Sequence, residues 1–229
     1  LPNGGRAECN IIFACPQSDN APFNTAFSSW IKEPAVVFFE DTGQNAVFFS
    51  YIENLFYSNL KKETAAVKQT SKNSVPFNVA LDIEVKRMCE KKTHVTYRQD
   101  WIYYSATGIR TEIIKERTFS KATGENLRWA DVINPKKKLQ FNKILIDALG
   151  PYFGVRDLEN MKAKLTDGST VTQQNFPLPA EGPCLEQGGL RVIYALGEIC
   201  SSQTGQPSAL IPYSAISSCM TSAAKKIIK

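Results

Sequence analysis

Hydrophobic positions recur along this chain with two different periods, and the switches between them outline the architecture. The apolar run Cys9 to Cys15, closed by Pro16, reads as a strand. Asn20 followed by Pro22 marks a helix start, and Phe23, Phe27, Trp30 and Ile31 share one helical face until Pro34 ends or kinks it. After a turn at Asp41-Thr42-Gly43, Phe48, Ile52, Leu55, Phe56 and Leu60 repeat the helical spacing. They predict a second helix from about Asn45 to Lys61-Lys62, and residues 63–75 read as a polar connection. The period then falls to two. Val79, Leu81, Ile83 and Val85 alternate with Ala80, Asp82, Glu84 and Lys86, the pattern of a half-buried antiparallel strand. Two more runs rich in β-branched and aromatic residues, 93–104 and 109–119, meet at Ala106-Thr107-Gly108 and predict a hairpin.

The helical period returns at Phe141, Ile144, Leu145 and Ala148, between an Asn134-Pro135 start and a Gly150-Pro151 stop. Lys136, Lys137 and Lys138 would face the positive end of the helix dipole if they opened that helix, so the helix is expected to begin after them. An Asp167-Gly168 turn and a Pro-containing loop over 177–182 lead to Gly189–Tyr213. There an apolar strand, a polar tip at Ser201–Gly205 and a return strand into Ile211-Pro212-Tyr213 form a second hairpin. Residues 214–228 close the chain as one weakly amphipathic helix. Neighbouring strands are joined by short turns rather than by helical crossovers. The fold class expected is therefore α+β, antiparallel sheet with helices packed on one side.

Composition narrows the function classes. A chain of 229 residues with 43% hydrophobic and 21% charged positions is ordinary globular material. Its net charge of +5 is spread among nearly as many acids as bases, and aromatic residues do not interleave with the basic ones. No nucleic-acid partner is expected. No apolar window is long enough for a membrane span, so membrane attachment is expected only through an N-terminal anchor removed from a mature chain. Six cysteines lack any C-x-x-C pair and there is a single histidine, which argues against a zinc site and leaves one to three disulfides of an exported protein or buried free thiols. No cofactor motif is present: Gly188-Gly189 precedes a strand, not a helix.

Candidate chemistry is sparse. Asp82 and Glu84 stand on one strand face about 7 Å apart, a separation that could serve glycoside acid/base work. His94 heads a strand without a recognisable nucleophile motif. In both places a solvated or hydrogen-bonded side chain is the simpler reading.

Several phrases resemble a recurrent bacterial pattern. They are Phe176-Pro-Leu-Pro179, Gly189-Leu-Arg-Val-Ile-Tyr194, Gly197-Glu-Ile199, Gly205 and Ile211-Pro-Tyr213, with Phe119–Leu127 and Trp129–Ile133 upstream. The chain resembles a bacterial envelope family, a domain of unknown function. That family resembles the extracellular C-terminal domain of RsiV-type anti-sigma factors, which bind lysozyme, and the accessory domain of some peptidoglycan deacetylases. The resemblance implies a partner domain over residues 1–90 and the family domain over 91–229, built as one compact unit. It also implies a non-catalytic exported binding protein of the bacterial periplasm or cell surface, with a lysozyme-like protein or a peptidoglycan fragment as ligand. An envelope glycan-active enzyme using Asp82 and Glu84 or His94 is the alternative, and the oligomeric state stays open. Two departures stand out. The family's G-G-A-H element is replaced by Ser105–Arg110, and an insertion, Glu181–Gly188, lengthens the loop before the last hairpin. Cys184 and Cys200 are the candidate disulfide for that insertion. The candidate recognition residues are Glu186 and Gln187 in it and Ser201, Ser202, Gln203 and Thr204 at the hairpin tip.

Overall fold

The computed structural model describes residues 5–14, 16, 18–39, 48–70 and 78–229, with the side chains of 66–70 left aside. Cys15, the turn at Asp41–Gly43, the expected helix onset at Asn45 and the stretch 71–75 lie outside the described residues. The described elements divide between two compact units. One comprises residues 1–86 with 99–114, the other 87–98 with 115–229. Residue 90, the expected boundary between the two parts, is the last residue of a strand.

In the first unit, β1 (Ala7–Phe13) precedes α1 (Ala21–Trp30), α2 (Glu33–Phe39) and α3 (Phe48–Thr70). The side chain of Asn20 accepts from the amide of Phe23, which is the cap the sequence announces. Pro34 does not merely end α1. It sits in the first turn of α2, where its missing amide costs nothing. Helix α3 runs eight residues beyond Lys62, so part of the expected polar connection is helical. Glu63, Ala65, Ala66, Lys68 and Gln69 are strong helix formers, and polarity alone mimics a loop there.

Three long strands follow, β2 (Val79–Glu90), β3 (His94–Tyr104) and β4 (Arg110–Ser120), in a sheet ordered β1-β2-β3-β4. The alternation in β2 is realised: Val79, Leu81, Ile83 and Val85 are buried while Ala80, Asp82, Glu84 and Lys86 face outward. β1 pairs parallel to β2, from Ala7 opposite Val79 to Phe13 opposite Val85. This pairing departs from the antiparallel expectation, because the helices between the two strands supply the crossover that a parallel pair needs. Aromatic rings fill the core of this unit. Phe38 stacks on Trp101 with centroids 5.9 Å apart, and Phe13 stacks on Phe48 at 5.5 Å. The buried Gln99 is satisfied within it, donating to the Trp30 carbonyl at 2.9 Å and accepting from the Trp101 indole at 3.0 Å.

The second unit continues with α4 (Trp129–Val132), α5 (Lys138–Phe153) and α6 (Leu158–Lys162). It then forms a three-stranded antiparallel sheet, β5 (Cys184–Leu185), β6 (Gly189–Ile193) and β7 (Ser208–Pro212). Phe141, Leu145, Leu149, Tyr194, Leu190, Val192 and Ile211 form its core with Met161, Phe176 and Ile216. A short 3₁₀ turn, Pro135–Lys137, capped by Asn134, precedes α5, but the helix opens on Lys138 with Lys137 as its N-cap rather than after all three lysines, so the later start expected from the helix dipole is only partly realised. The expected stop at Gly150-Pro151 is passed. Both residues are helical, and the left-handed end falls at Gly154, whose φ is 67°. Gly150 serves another purpose: a Cβ there would lie 2.6 Å from the Val155 carbonyl oxygen, which folds back over it.

The single terminal helix expected over 214–228 is broken into α7 (Tyr213–Ile216) and α8 (Ser222–Ile227). Between them the carbonyl of Cys219 accepts from Asn134, and Thr221 donates to Val132 and caps α8 with its hydroxyl. This bridge stitches the chain end to α4.

Candidate functional site

The first unit carries a cleft of about 410 Å³ that no single sequence signal announces. Its walls are Val37 and Phe38 of α2, Tyr103 of β3, and the β3–β4 turn from Ser105 to Ile109, with Glu63 of α3 among them. Asn59 and Glu63 lie one helical turn apart on α3 and so share a face. Asn59 donates to the Tyr103 hydroxyl at 2.7 Å and to Glu63 at 3.1 Å, while that hydroxyl donates to Glu63. The second Glu63 oxygen accepts from the amide of Ala106 at 2.5 Å. Burial, then the neighbouring carboxylate, push the Tyr103 phenol well above its usual range, so it stays protonated and donating. The result is a carboxylate fixed from both sides beside apolar walls.

The rim of this cleft is the β3–β4 turn, Ser105 to Ile109. Gly108 takes φ 79°, its amide donates to the Ser105 carbonyl at 2.9 Å, and Ser105 accepts from Thr107 or donates to it at 2.8 Å. Ile109 and Val37, 62% and 57% exposed, leave apolar surface open at the mouth. A mostly apolar hollow of this size with a few convergent polar groups has the features of a small-ligand pocket. Sequence reasoning missed Glu63 because it falls in a stretch that looks like a linker. Its distance from Asn59, four residues back on a predicted helix, was the available signal.

Asp82 and Glu84 do share the open face of the sheet, but both are engaged. Asn10 donates to Asp82 at 2.9 Å. Lys86 lies between Glu84 at 2.9 Å and Asp100 at 3.0 Å, and the hydrogen bond to Glu84 leads the causes that raise its ammonium. Such a network stores no free acid/base pair. His94 belongs to the second unit, half-buried, with its Nδ1 2.9 Å from the Thr93 hydroxyl, and burial lowers its affinity for a proton. Among the described residues, no group of three or more His, Cys, Asp or Glu is placed to hold a metal ion. No helix among them is long and apolar enough to cross a membrane.

The insertion is built inward rather than outward. Glu181 ties to Lys115 at 3.0 Å and to Arg117, Leu185 donates to the Thr118 hydroxyl at 2.9 Å, and Thr118 meets Thr96 at 2.8 Å. Glu186 is 9% exposed, holds Arg191 at 2.8 Å, and accepts from Tyr213 through its carbonyl. Only Gln187 and Gly188 of this segment are exposed. Ser201, Ser202, Gln203 and Thr204 are all exposed, in a 3₁₀ turn held by Tyr152, which donates to the Thr204 carbonyl at 2.8 Å. The structure does not bring the two sets together. Glu186 and Gln187 adjoin the start of β6 and the tip lies beyond its end, so about 14 Å of strand separates them. The candidate disulfide is not formed either. Cys184 and Cys200 are both free buried thiols, and Cys184 is instead committed to the Glu116 carbonyl at 3.0 Å.

No protein-family model matches the sequence, and no curated protein matches it. Among solved structures, the fold is similar to that of a DUF3298-family protein from Bacteroides fragilis. The TM-score is 0.65 at 16% identity, over 96% of this chain and 88% of that one. A DUF3298-family protein from Pseudomonas aeruginosa is similar at a TM-score of 0.45 and 12% identity, over 70% of each chain. The chain therefore shares its α+β fold with a bacterial member of a family whose function is not characterised, and at this identity the likeness concerns fold alone.

Proposed function

We propose that this chain is a non-catalytic, exported cell-envelope binding domain, and that its ligand is a peptidoglycan fragment held in the Glu63 cleft. The cleft is the observation that carries the reading. Its volume of about 410 Å³ suits a piece of glycan or stem peptide rather than a protein surface. Muropeptides present hydroxyls and amines to a carboxylate, and acetyl and lactyl methyl groups to apolar walls such as Val37, Phe38 and Ile109. Both Glu63 oxygens already accept hydrogen bonds, an arrangement suited to holding a donor in place rather than to moving protons. The resemblance to RsiV-type and deacetylase-associated envelope domains supports the location and gives lysozyme as the competing partner.

Calorimetric titration of the purified chain with muropeptides and, separately, with lysozyme tests the reading. Saturable heat with muropeptides is expected, weakened about fivefold or more by Ile109→Glu, which places a charge on exposed surface at the mouth. Heat with lysozyme alone would transfer the reading to a protein ligand. Silence with both, or muropeptide binding indifferent to Ile109→Glu, would end it.

A further inference from the structure

The second unit contains a cleft of about 740 Å³ of opposite character, formed where the β2–β3 hairpin meets α8. Lys91 and Lys92 line it from the hairpin, Lys226 and Lys229 from the end of the chain. The two segments are tied there, since Lys91 donates its ammonium to the Ile228 carbonyl at 2.9 Å. Glu90 is the one acid in the lining, and it is taken by Arg87 at 2.5 Å and Lys121 at 2.6 Å. Those six cations against one carboxylate leave the same +5 that the whole chain carries, so the remainder of the protein is neutral in sum. A helix dipole accounts for Lys226 near the end of α8. It does not account for Lys91 and Lys92 converging on the same hollow, where like charges repel in the absence of a counter-ion.

We propose that this cleft binds a polyvalent phosphate anion, free or as the headgroup of a lipid. Concavity favours a compact multivalent anion, and the lining of Thr93, Ala223 and Ile227 contains no aromatic ring on which a nucleobase could stack. The site is independent of the Glu63 cleft and of the function proposed for it.

The test is titration of the full chain with inorganic tripolyphosphate at low ionic strength, using circular dichroism to verify folding of each variant. One-site binding is expected. Lys92→Glu with Lys226→Glu should weaken it about tenfold or more, and Lys136→Glu with Lys137→Glu, an equal charge change outside the cleft, less than about twofold. Tripolyphosphate should also protect Lys91, Lys92, Lys226 and Lys229 of the unaltered chain from acetylation. Co-sedimentation with cardiolipin vesicles, whose headgroup carries two phosphates, but not with phosphatidylcholine, lost in the first double variant, would assign the headgroup; tripolyphosphate binding without co-sedimentation would assign free phosphate. The proposal is overturned by absence of saturable binding, by equal losses in the two double variants, or by tighter binding of a single-stranded oligonucleotide than of tripolyphosphate.

Discussion

Two adjacent glycines make the sharpest test of how the β6–β7 hairpin is packed. Gly189 opens β6 opposite Pro212, and a Cβ built on it would lie 2.3 Å from the Ile211 carbonyl oxygen, 2.9 Å from its carbon and 3.1 Å from Cα of Pro212. All three atoms are backbone, so no rotamer change relieves the overlap. Restoring ordinary contact requires moving β7 away by about 1 Å, at the cost of ladder hydrogen bonds and core contacts, and overpacking of this kind costs about 3 kcal/mol. For a chain of this size that corresponds to a Tm about 6–12 °C lower. Gly188, one residue earlier, has nothing within 4 Å of its Cβ position and should accept alanine within about 0.5 kcal/mol. Urea unfolding of Gly189→Ala and Gly188→Ala, followed by hydrogen exchange across β6 and β7, measures both. A Gly189→Ala midpoint within about 0.5 kcal/mol of wild type, or equal effects of the two changes, would refute the packing described here.

Glu181 gives a pH dependence. Burial raises its pKa, but Arg117 and Lys115 together outweigh burial and hold it below its usual range. A depressed folded value means stability that is present above the unfolded pKa near 4.5 and lost as pH falls through the folded one. The stability gap between wild type and Glu181→Gln should therefore shrink between about pH 6 and pH 3; a gap independent of pH would contradict the assignment. Thr118→Val removes the acceptor of the Leu185 amide and the partner of Thr96, and should cost about 1–3 kcal/mol in chemical denaturation. Cys184, whose thiol burial pushes well above its ordinary range, should resist alkylation in the folded protein and react once unfolded without reductant. A mass shift showing Cys184 joined to Cys200 would contradict the free thiols seen here.

Much of the fold was legible because its periods are clean. The alternation of β2 and the Phe23, Phe27 and Trp30 stripe of α1 report the buried faces directly. What escaped depends on contacts distant in sequence. β1 gives no sign that its partner is β2 in parallel, and the break after Ile216 is set by Asn134 and Val132, far upstream. Gly150-Pro151 looked like a helix stop because local propensity hides the close approach of the Val155 carbonyl. The cleft was less legible still. Glu63, Tyr103 and the Ser105–Ile109 turn are ordinary residues until α3 and β3 place them together. Conversely, Glu186 reads as a recognition residue in an insertion, yet it is a buried strut for Arg191.

The parallel pairing of β1 also sets an order of events during synthesis. Partners in β1 and β2 are separated by 72 residues, against 15 between Ile193 and Ser208 at the closed end of the β6–β7 hairpin. The longer closure costs about 1.4 kcal/mol more in chain entropy, a little over two doublings of loop length. β1 therefore leaves the ribosome long before its partner exists, and Ile12, 68% exposed even in the finished sheet, spends that interval on an unpaired strand. Until β2 has been made, that unpaired edge is open to pairing with other chains.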